Sequence, residues 1–165
     1  MTNRSAFLSH PVFILCLRVA LGLVFIVASV DKIRNPDAFA TAIANYRLLP
    51  YEFIHGVAIV LPWVEAVAGS LLLLGIWTRA NALLTSCMLI VFVLAIGQAL
   101  WRHLDISCGC FTTAPGANKM TRWTLYWDLI WLSWGTLLLL FGRDVYSLFP
   151  ARFRSRKHGT ARASD

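Results

Sequence analysis

Charged residues are scarce in this chain. Only 14% of its 165 residues are charged, whereas 58% are hydrophobic, and the mean hydropathy is +0.66. A soluble globular domain carries nearly twice that share of charge, about 25%. The deficit excludes a water-soluble surface around a compact core, and it favours an integral membrane protein.

The chain also lacks internal repeats of about 20–50 residues and Gly/Ser-rich linkers, so a single domain is the simplest organisation. Its net charge of +7 could suggest nucleic-acid binding. However, the basic residues are not interleaved with a soluble aromatic platform, and we expect no nucleic-acid partner. We expect a membrane domain over residues 1–145 and a basic cytoplasmic tail over residues 146–165, with the lipid bilayer as the main partner.

Long apolar segments take the place of charge. A helix needs about 20 apolar residues to cross the hydrocarbon core of a membrane. Backbone groups in lipid must be satisfied within the segment, so such segments should be helical. Four segments qualify, each with no more than one charged residue, and they are 11–30, 53–77, 80–101 and 123–141. The sequence therefore predicts an all-α fold, an integral membrane four-helix bundle.

Small residues inside these segments are expected to mediate helix packing, since they let helices approach closely. Cys16 and Cys87 are interpreted as small packing residues. The glycines that offer close contacts are Gly22, Gly56, Gly69 and Gly97.

The distribution of Lys and Arg predicts the orientation. Four spans place both termini on one side, which holds eight of these residues, whereas the opposite side holds six. The positive-inside rule then favours cytoplasmic termini in a bacterial inner membrane, with loops 31–52 and 102–122 facing outward. The first segment holds Arg18, and we expect it to be a retained helix rather than a cleaved signal peptide.

Two cysteines, Cys108 and Cys110, lie in the second outward loop with one glycine between them. An oxidising compartment permits disulfide chemistry there, and Gly109 supplies the backbone freedom that a small ring demands. Such a ring should be strained, and strained disulfides are the labile ones. A redox-active pair is the interpretation that the spacing favours. A structural disulfide, inert thiols and metal binding with His103 are the alternatives, although a full zinc ligand set is missing and we assign no metal site.

Ionisable residues within a membrane are functional candidates, because burying them is costly. Arg18 and Glu65 have matched depth and opposite charge, and we predict that they form an ion pair. Other polar groups could line a pocket beneath the cysteine loop, or they could cap helices or extend to the interface. These groups are Asp31, Lys32, Gln98 and Asp128.

Three segments together carry a resemblance to a known family. Residues 31–39 read DKIRNPDAF, residues 62–65 read PWVE, and residues 106–111 read ISCGCF. Over residues 11–141 the chain resembles the MauE/DoxX family of redox-associated membrane proteins, and it is most similar to the MauE branch. The resemblance implies a four-helix membrane fold. It also implies a role in methylamine dehydrogenase maturation or related periplasmic thiol handling, beside a thioredoxin-like partner or a client protein.

Three functions are therefore carried forward. The first is a membrane thiol–disulfide oxidoreductase that uses Cys108 and Cys110, with a quinone as a candidate electron partner and no other cofactor indicated. The second is a non-enzymatic assembly factor or complex subunit. The third is a small transporter that uses Glu65 and Arg18, although the sequence shows no inverted repeat.

Overall fold

A computed structural model describes residues 11–104, 106, 109 and 122–142. All regular structure in these residues is helical. Of the five helices, all but the second are long and apolar enough to span a membrane, which confirms the predicted all-α class and the four spans. The helices are α1 (Pro11–Arg34), α2 (Pro36–Asn45), α3 (Tyr51–Leu74), α4 (Thr78–Trp101) and α5 (Arg122–Phe141). The predicted basic tail, 146–165, lies outside the described residues.

The short helix α2 falls in a segment that the sequence analysis assigned to an outward loop. It begins at Pro36, whose fixed φ suits the first helical position, and Asp37 in its first turn complements the helix dipole. Its buried face consists of Phe39, Ala40 and Ala42. At ten residues α2 is too short for a span, and only one of its faces is apolar. A search for long apolar runs therefore does not detect it.

The four spans pack as two closely associated pairs. α1 packs chiefly against α3, and α4 packs chiefly against α5. Contacts of α3 with α4 and of α1 with α5 join the two pairs into a bundle, and α2 lies against α3. Leu21, Leu72, Ala82 and Leu138 are fully buried between the helices. The result is a closed bundle with α2 packed beside it.

α1 and α3 approach each other closely at two facing glycines. A Cβ atom placed on Gly22 would lie 2.9 Å from the carbonyl oxygen of Gly69, and one placed on Gly69 would lie 2.8 Å from the carbonyl oxygen of Gly22. Backbones can approach this closely only where neither residue has a side chain. In contrast, nothing lies within 4 Å of the corresponding position on Gly56 or Gly97. Two of the four predicted packing glycines therefore form a helix contact within the described residues.

The outer surface of the bundle is apolar, as a lipid-facing surface should be. Trp101, near the end of its helix, is 86% exposed, and Trp77 and Trp123 are similarly exposed near the ends of spans. Amphipathic rings at such positions favour the membrane–water interface. Cys16 and Cys87 also lie exposed on this surface, so their assignment as core packing residues was wrong.

We predict that Gly69→Ala destabilises the bundle. The added methyl group would meet the Gly22 carbonyl, and overpacking of this kind typically costs about 1–3 kcal/mol. The free energy of unfolding of the purified protein in mixed detergent micelles measures the effect. Gly97→Ala is the matched control, because its methyl group meets no atom and alanine favours a helix. Equal stability of the two variants would contradict the close contact.

Candidate functional site

A buried lysine is the centre of the candidate site. Lys32 lies in the last turn of α1, where a lysine would ordinarily extend outward to the interface. Its side chain instead enters the bundle and is only 2% exposed. Its Nζ donates to both carboxylate oxygens of Glu65 on α3, at 2.8 Å to Oε1 and 2.9 Å to Oε2. Glu65 is equally buried, so both charges are fully desolvated.

Two aromatic rings enclose the same ammonium group. Phe39 on α2 and Phe92 on α4 each place a ring centroid 5.0 Å from the Nζ of Lys32. At this distance the negative face of each ring attracts a cation, and the attraction is strongest where water is excluded. The charge of Lys32 is therefore stabilised by Glu65 together with two rings that belong to other helices.

A second carboxylate faces this pair from α5. Asp128 is 6% exposed and interacts electrostatically with Lys32. Its Oδ2 atom is buried and has no hydrogen-bond partner among the described residues. The charged cluster therefore comprises Lys32, Glu65 and Asp128, one cation and two carboxyl groups contributed by three of the four spans.

A small cavity adjoins the charged cluster. It has a volume of about 40 Å³ and is bounded by all three of the charged side chains. Aromatic rings and aliphatic side chains form the rest of its wall. The complete lining is Val24, Phe25, Ala28, Lys32, Glu65, Leu89, Phe92, Asp128 and Trp131.

A larger, almost entirely apolar groove of about 370 Å³ lies between α2, α3 and α4. Phe39 and Phe92, the two rings over Lys32, also line this groove. Tyr46 lines it as well. Burial, and to a lesser degree the nearby Asp128 carboxylate, raise the pKa of Tyr46, so its phenol remains neutral.

The glycine of the cysteine motif is buried on α2. Gly109 has φ +67°, in the left-handed region that favours glycine. A Cβ atom placed on it would lie 3.0 Å from the Cβ of Ala42 and 4.0 Å from Cδ2 of Phe39. Gly109 therefore contacts α2 beside the ring that covers Lys32. The predicted redox residues Cys108 and Cys110 lie outside the described residues.

Of the six residues predicted to line a pocket or to form an ion pair, the structure brings together Lys32, Glu65 and Asp128. Asp31 is half-buried in the last turn of α1, where its carboxylate accepts a 3.3 Å hydrogen bond from the side-chain amide of Asn35. Gln98 is half-buried near the end of α4.

The predicted pair of Arg18 and Glu65 was wrong. Glu65 binds Lys32, whereas the guanidinium of Arg18 lies beside Gly75, with Cζ 2.9 Å from the position of a Cβ there. The prediction compared the depths of Cα positions. Side chains on a helix point back toward its N-terminus. Lys32 can therefore reach Glu65 although it lies in the last turn of α1.

Sequence reasoning missed Phe39 and Phe92. An aromatic residue in an apolar segment is ordinary, and neither ring was distinguished by its spacing. The signal for Phe39 was its place on the buried face of α2, which becomes visible only when residues 36–45 are treated as an amphipathic helix.

Comparisons with known proteins find a matching family model and several similar chains. The family model described as "Methylamine utilisation protein MauE" matches residues 10–141. A methylamine utilization protein MauE from Paracoccus denitrificans is 32% identical over 120 residues, which are 72% of this chain and 63% of that protein. Its namesake from Methylorubrum extorquens is 30% identical over 83% of this chain and 71% of its own length. The protein of the same name from Paracoccus versutus is 31% identical over 93% of this chain and 77% of its own length.

The matched region spans somewhat less than two thirds of the Paracoccus denitrificans protein. No solved structure shows a significant match to the chain.

We predict a coupling between Lys32 and Glu65 in a double-mutant cycle. Lys32→Met and Glu65→Leu should each lower the free energy of unfolding by about 3–5 kcal/mol, because each leaves one buried charge without its partner. The double variant removes both charges and should recover part of this loss. The measurement is unfolding of each purified variant in mixed detergent micelles.

The control for this cycle combines Arg18→Met with Glu65→Leu. Since Arg18 lies beside Gly75 and not beside Glu65, these two changes should show no recovery when combined. Recovery with Arg18 but not with Lys32 would contradict the observed pairing.

Proposed function

The chain belongs to the MauE family, and we propose that it is an integral membrane accessory protein of methylamine utilisation. In this proposal it supports thiol–disulfide chemistry, or the maturation of a partner enzyme of the methylamine dehydrogenase type, through Cys108 and Cys110. The printed names of its relatives support the metabolic setting. The two cysteines of its outer loop support the chemistry.

The proposed step is a thiol–disulfide exchange. A thiolate of the Cys108–Cys110 pair attacks a disulfide of the partner, and the second thiolate then resolves the mixed disulfide. The pair loses two electrons and two protons and becomes a disulfide, while the partner becomes a dithiol. The reverse direction delivers a dithiol to this protein and a disulfide to its client. A membrane quinone is a candidate acceptor that would restore the oxidised pair.

The observation that carries the proposal is the position of Gly109. It is buried against Ala42 and Phe39 of α2, in a conformation that favours glycine. A glycine held in this way gives the motif a defined attachment to the bundle, which suits a reaction centre better than an unattached loop. Phe39 lies beside this position, and the same ring covers Lys32.

We place the protein in the bacterial inner membrane with both termini in the cytoplasm. The excess of Lys and Arg on the terminal side supports this orientation. It puts α2 and Gly109 on the periplasmic side, where disulfides persist. The expected partner is a periplasmic protein with a thioredoxin-like domain, or a client with its own disulfides.

We predict that the Cys108–Cys110 pair titrates reversibly against glutathione. Its midpoint should lie between about −120 and −270 mV, the range of thioredoxin-type catalysts, whereas structural disulfides lie below about −300 mV. Alkylation of the purified protein followed by mass analysis of the peptide gives the midpoint. A bond that glutathione cannot reduce would make the pair a structural staple.

Gly109→Ala tests whether the conformation of Gly109 affects the redox midpoint of the cysteine pair. An alanine in the left-handed region costs about 1–2 kcal/mol, so the disulfide should become easier to reduce, by roughly 20–40 mV. Gly97→Ala, in open space within α4, is the control and should leave the midpoint unchanged. Equal midpoints for both variants would contradict a role of the Gly109 contact.

We predict that a variant lacking the resolving thiol accumulates a mixed disulfide in intact cells. Cys110→Ser, in a background with Cys16→Ser and Cys87→Ser, should retain a covalently attached periplasmic protein, detected by non-reducing electrophoresis and mass spectrometry. The matching Cys108→Ser/Cys110→Ser control should retain none. A cytoplasmic partner would contradict the orientation. Loss of the maturation phenotype without any adduct in either single-cysteine variant would favour an assembly factor that uses no thiol chemistry.

A further inference from the structure

We propose that the apolar groove between α2, α3 and α4 is a binding site for one phospholipid, which places an acyl chain in the groove and its phosphate at Arg47. The site lies on the membrane-facing surface of the bundle and uses neither Cys108 nor Cys110. It therefore goes beyond the thiol chemistry and does not depend on it.

The first argument is the direction and size of the groove. α4 lines it with a row of residues on one face of the helix, namely Cys87, Met88, Val91, Phe92 and Ala95. At ~1.5 Å per residue this row is roughly 12 Å long. Helices that span a membrane run close to its normal, so the groove is nearly parallel to the acyl chains of neighbouring lipids. Its volume of about 370 Å³ is in the range of ligand sites.

The second argument is that the groove is continuous with the lipid-facing surface. Cys87 and Val91, on its α4 side, are exposed on that surface. Leu48 and Leu49, which connect α2 to α3 and also line the groove, are exposed as well. An acyl chain of the surrounding bilayer can therefore enter the groove laterally.

The third argument is the chemistry of the wall. Among the described lining residues, Tyr46 has the one side chain that carries an oxygen, and it is already engaged within the protein, where it faces Asp128. The rest of the wall consists of aliphatic carbon, aromatic rings and the sulfur atoms of Cys87 and Met88. Such a surface suits a hydrocarbon chain better than a polar ring, whose carbonyl or hydroxyl groups require hydrogen-bonding partners.

The fourth argument is a cation at the mouth of the groove. Tyr46 and Leu48, the two chain neighbours of Arg47, both line the groove, whereas Arg47 itself has φ +52° and an exposed side chain. The described residues contain no ion pair to its guanidinium, and Glu52, the nearest acidic residue along the chain, is exposed as well. A phosphate supplies the opposite charge and can accept two hydrogen bonds from a guanidinium. Charge complementarity therefore favours a phospholipid over an uncharged lipid.

The two exposed cysteines of the spans provide the test, because Cys87 lines the groove and Cys16 does not. Full-length Cys108→Ser/Cys110→Ser protein is purified in detergent, freed of lipid and titrated with dioleoyl phosphatidylglycerol. The rate at which N-ethylmaleimide modifies each cysteine is then read from peptide masses. We expect the lipid to slow modification of Cys87 several-fold and to saturate, with Cys16 unchanged. Equal slowing at both cysteines, or none at Cys87, would overturn the proposal.

The contact with the phosphate is tested by Arg47→Gln in the same background. Loss of one cation at a lipid surface should raise the lipid concentration needed to protect Cys87 about fivefold. Arg34→Gln is the matched control, because Arg34 is also exposed but its chain neighbours do not line the groove. Dioleoylglycerol, which has the same chains and no phosphate, should protect Cys87 as weakly in the unaltered background as phosphatidylglycerol does in Arg47→Gln. Equal protection by the two lipids would contradict the phosphate contact.

A filled groove gives an independent measurement. Val91→Trp would occupy part of the groove, whereas Val27→Trp alters an equally apolar, exposed position of α1 outside it. Native mass spectrometry should show one retained phosphatidylglycerol on the Val27→Trp protein and none on Val91→Trp. Retention by both variants would place the lipid elsewhere. Protection of Cys87 by a short-chain quinone and not by phosphatidylglycerol would also overturn the proposal, since it would identify a quinone site. Because the cysteine-modification assays use a background without Cys108 and Cys110, their outcome is separate from that of the proposed thiol chemistry.

Discussion

The ion pair between Lys32 and Glu65 is the interaction on which the interior of this bundle depends. Both charges are withdrawn from water, and each is compatible with the apolar interior only in the presence of the other. The pair fixes the relative position of α1 and α3. The rings above the ammonium come from α2 and α4, and Asp128 comes from α5. Every helix of the described structure therefore contributes a group to the surroundings of one nitrogen atom.

This arrangement requires α1 and α3 to lie very close together. Gly22 and Gly69 let the two backbones approach closely. This approach places Glu65 of α3 within reach of Lys32, which lies in the last turn of α1. In lipid the hydrophobic effect does not drive helices together, so close packing and buried polar contacts must supply the association. The glycine contact and the ion pair act on the same two helices.

Much of the fold could be predicted from the sequence, because membrane spans are specified by long apolar segments that local composition reveals. The short helix α2 was missed, since only one face of it is apolar and its partner surface is contributed by distant residues. Asp128, Lys32 and Glu65 were recognised singly, because a charge in an apolar segment is conspicuous. Their pairing was not, since it depends on side-chain direction and helix register. Arg18, equally conspicuous, lies at the other end of α3 beside Gly75.

The ring of Phe39 has two neighbours of different kinds. One is the ammonium group of Lys32, and the other is Gly109, the residue between Cys108 and Cys110. A flat, rigid side chain in this position lies between a buried glycine and a charged interior. A single ring therefore lies between the glycine of the cysteine motif and the buried cation.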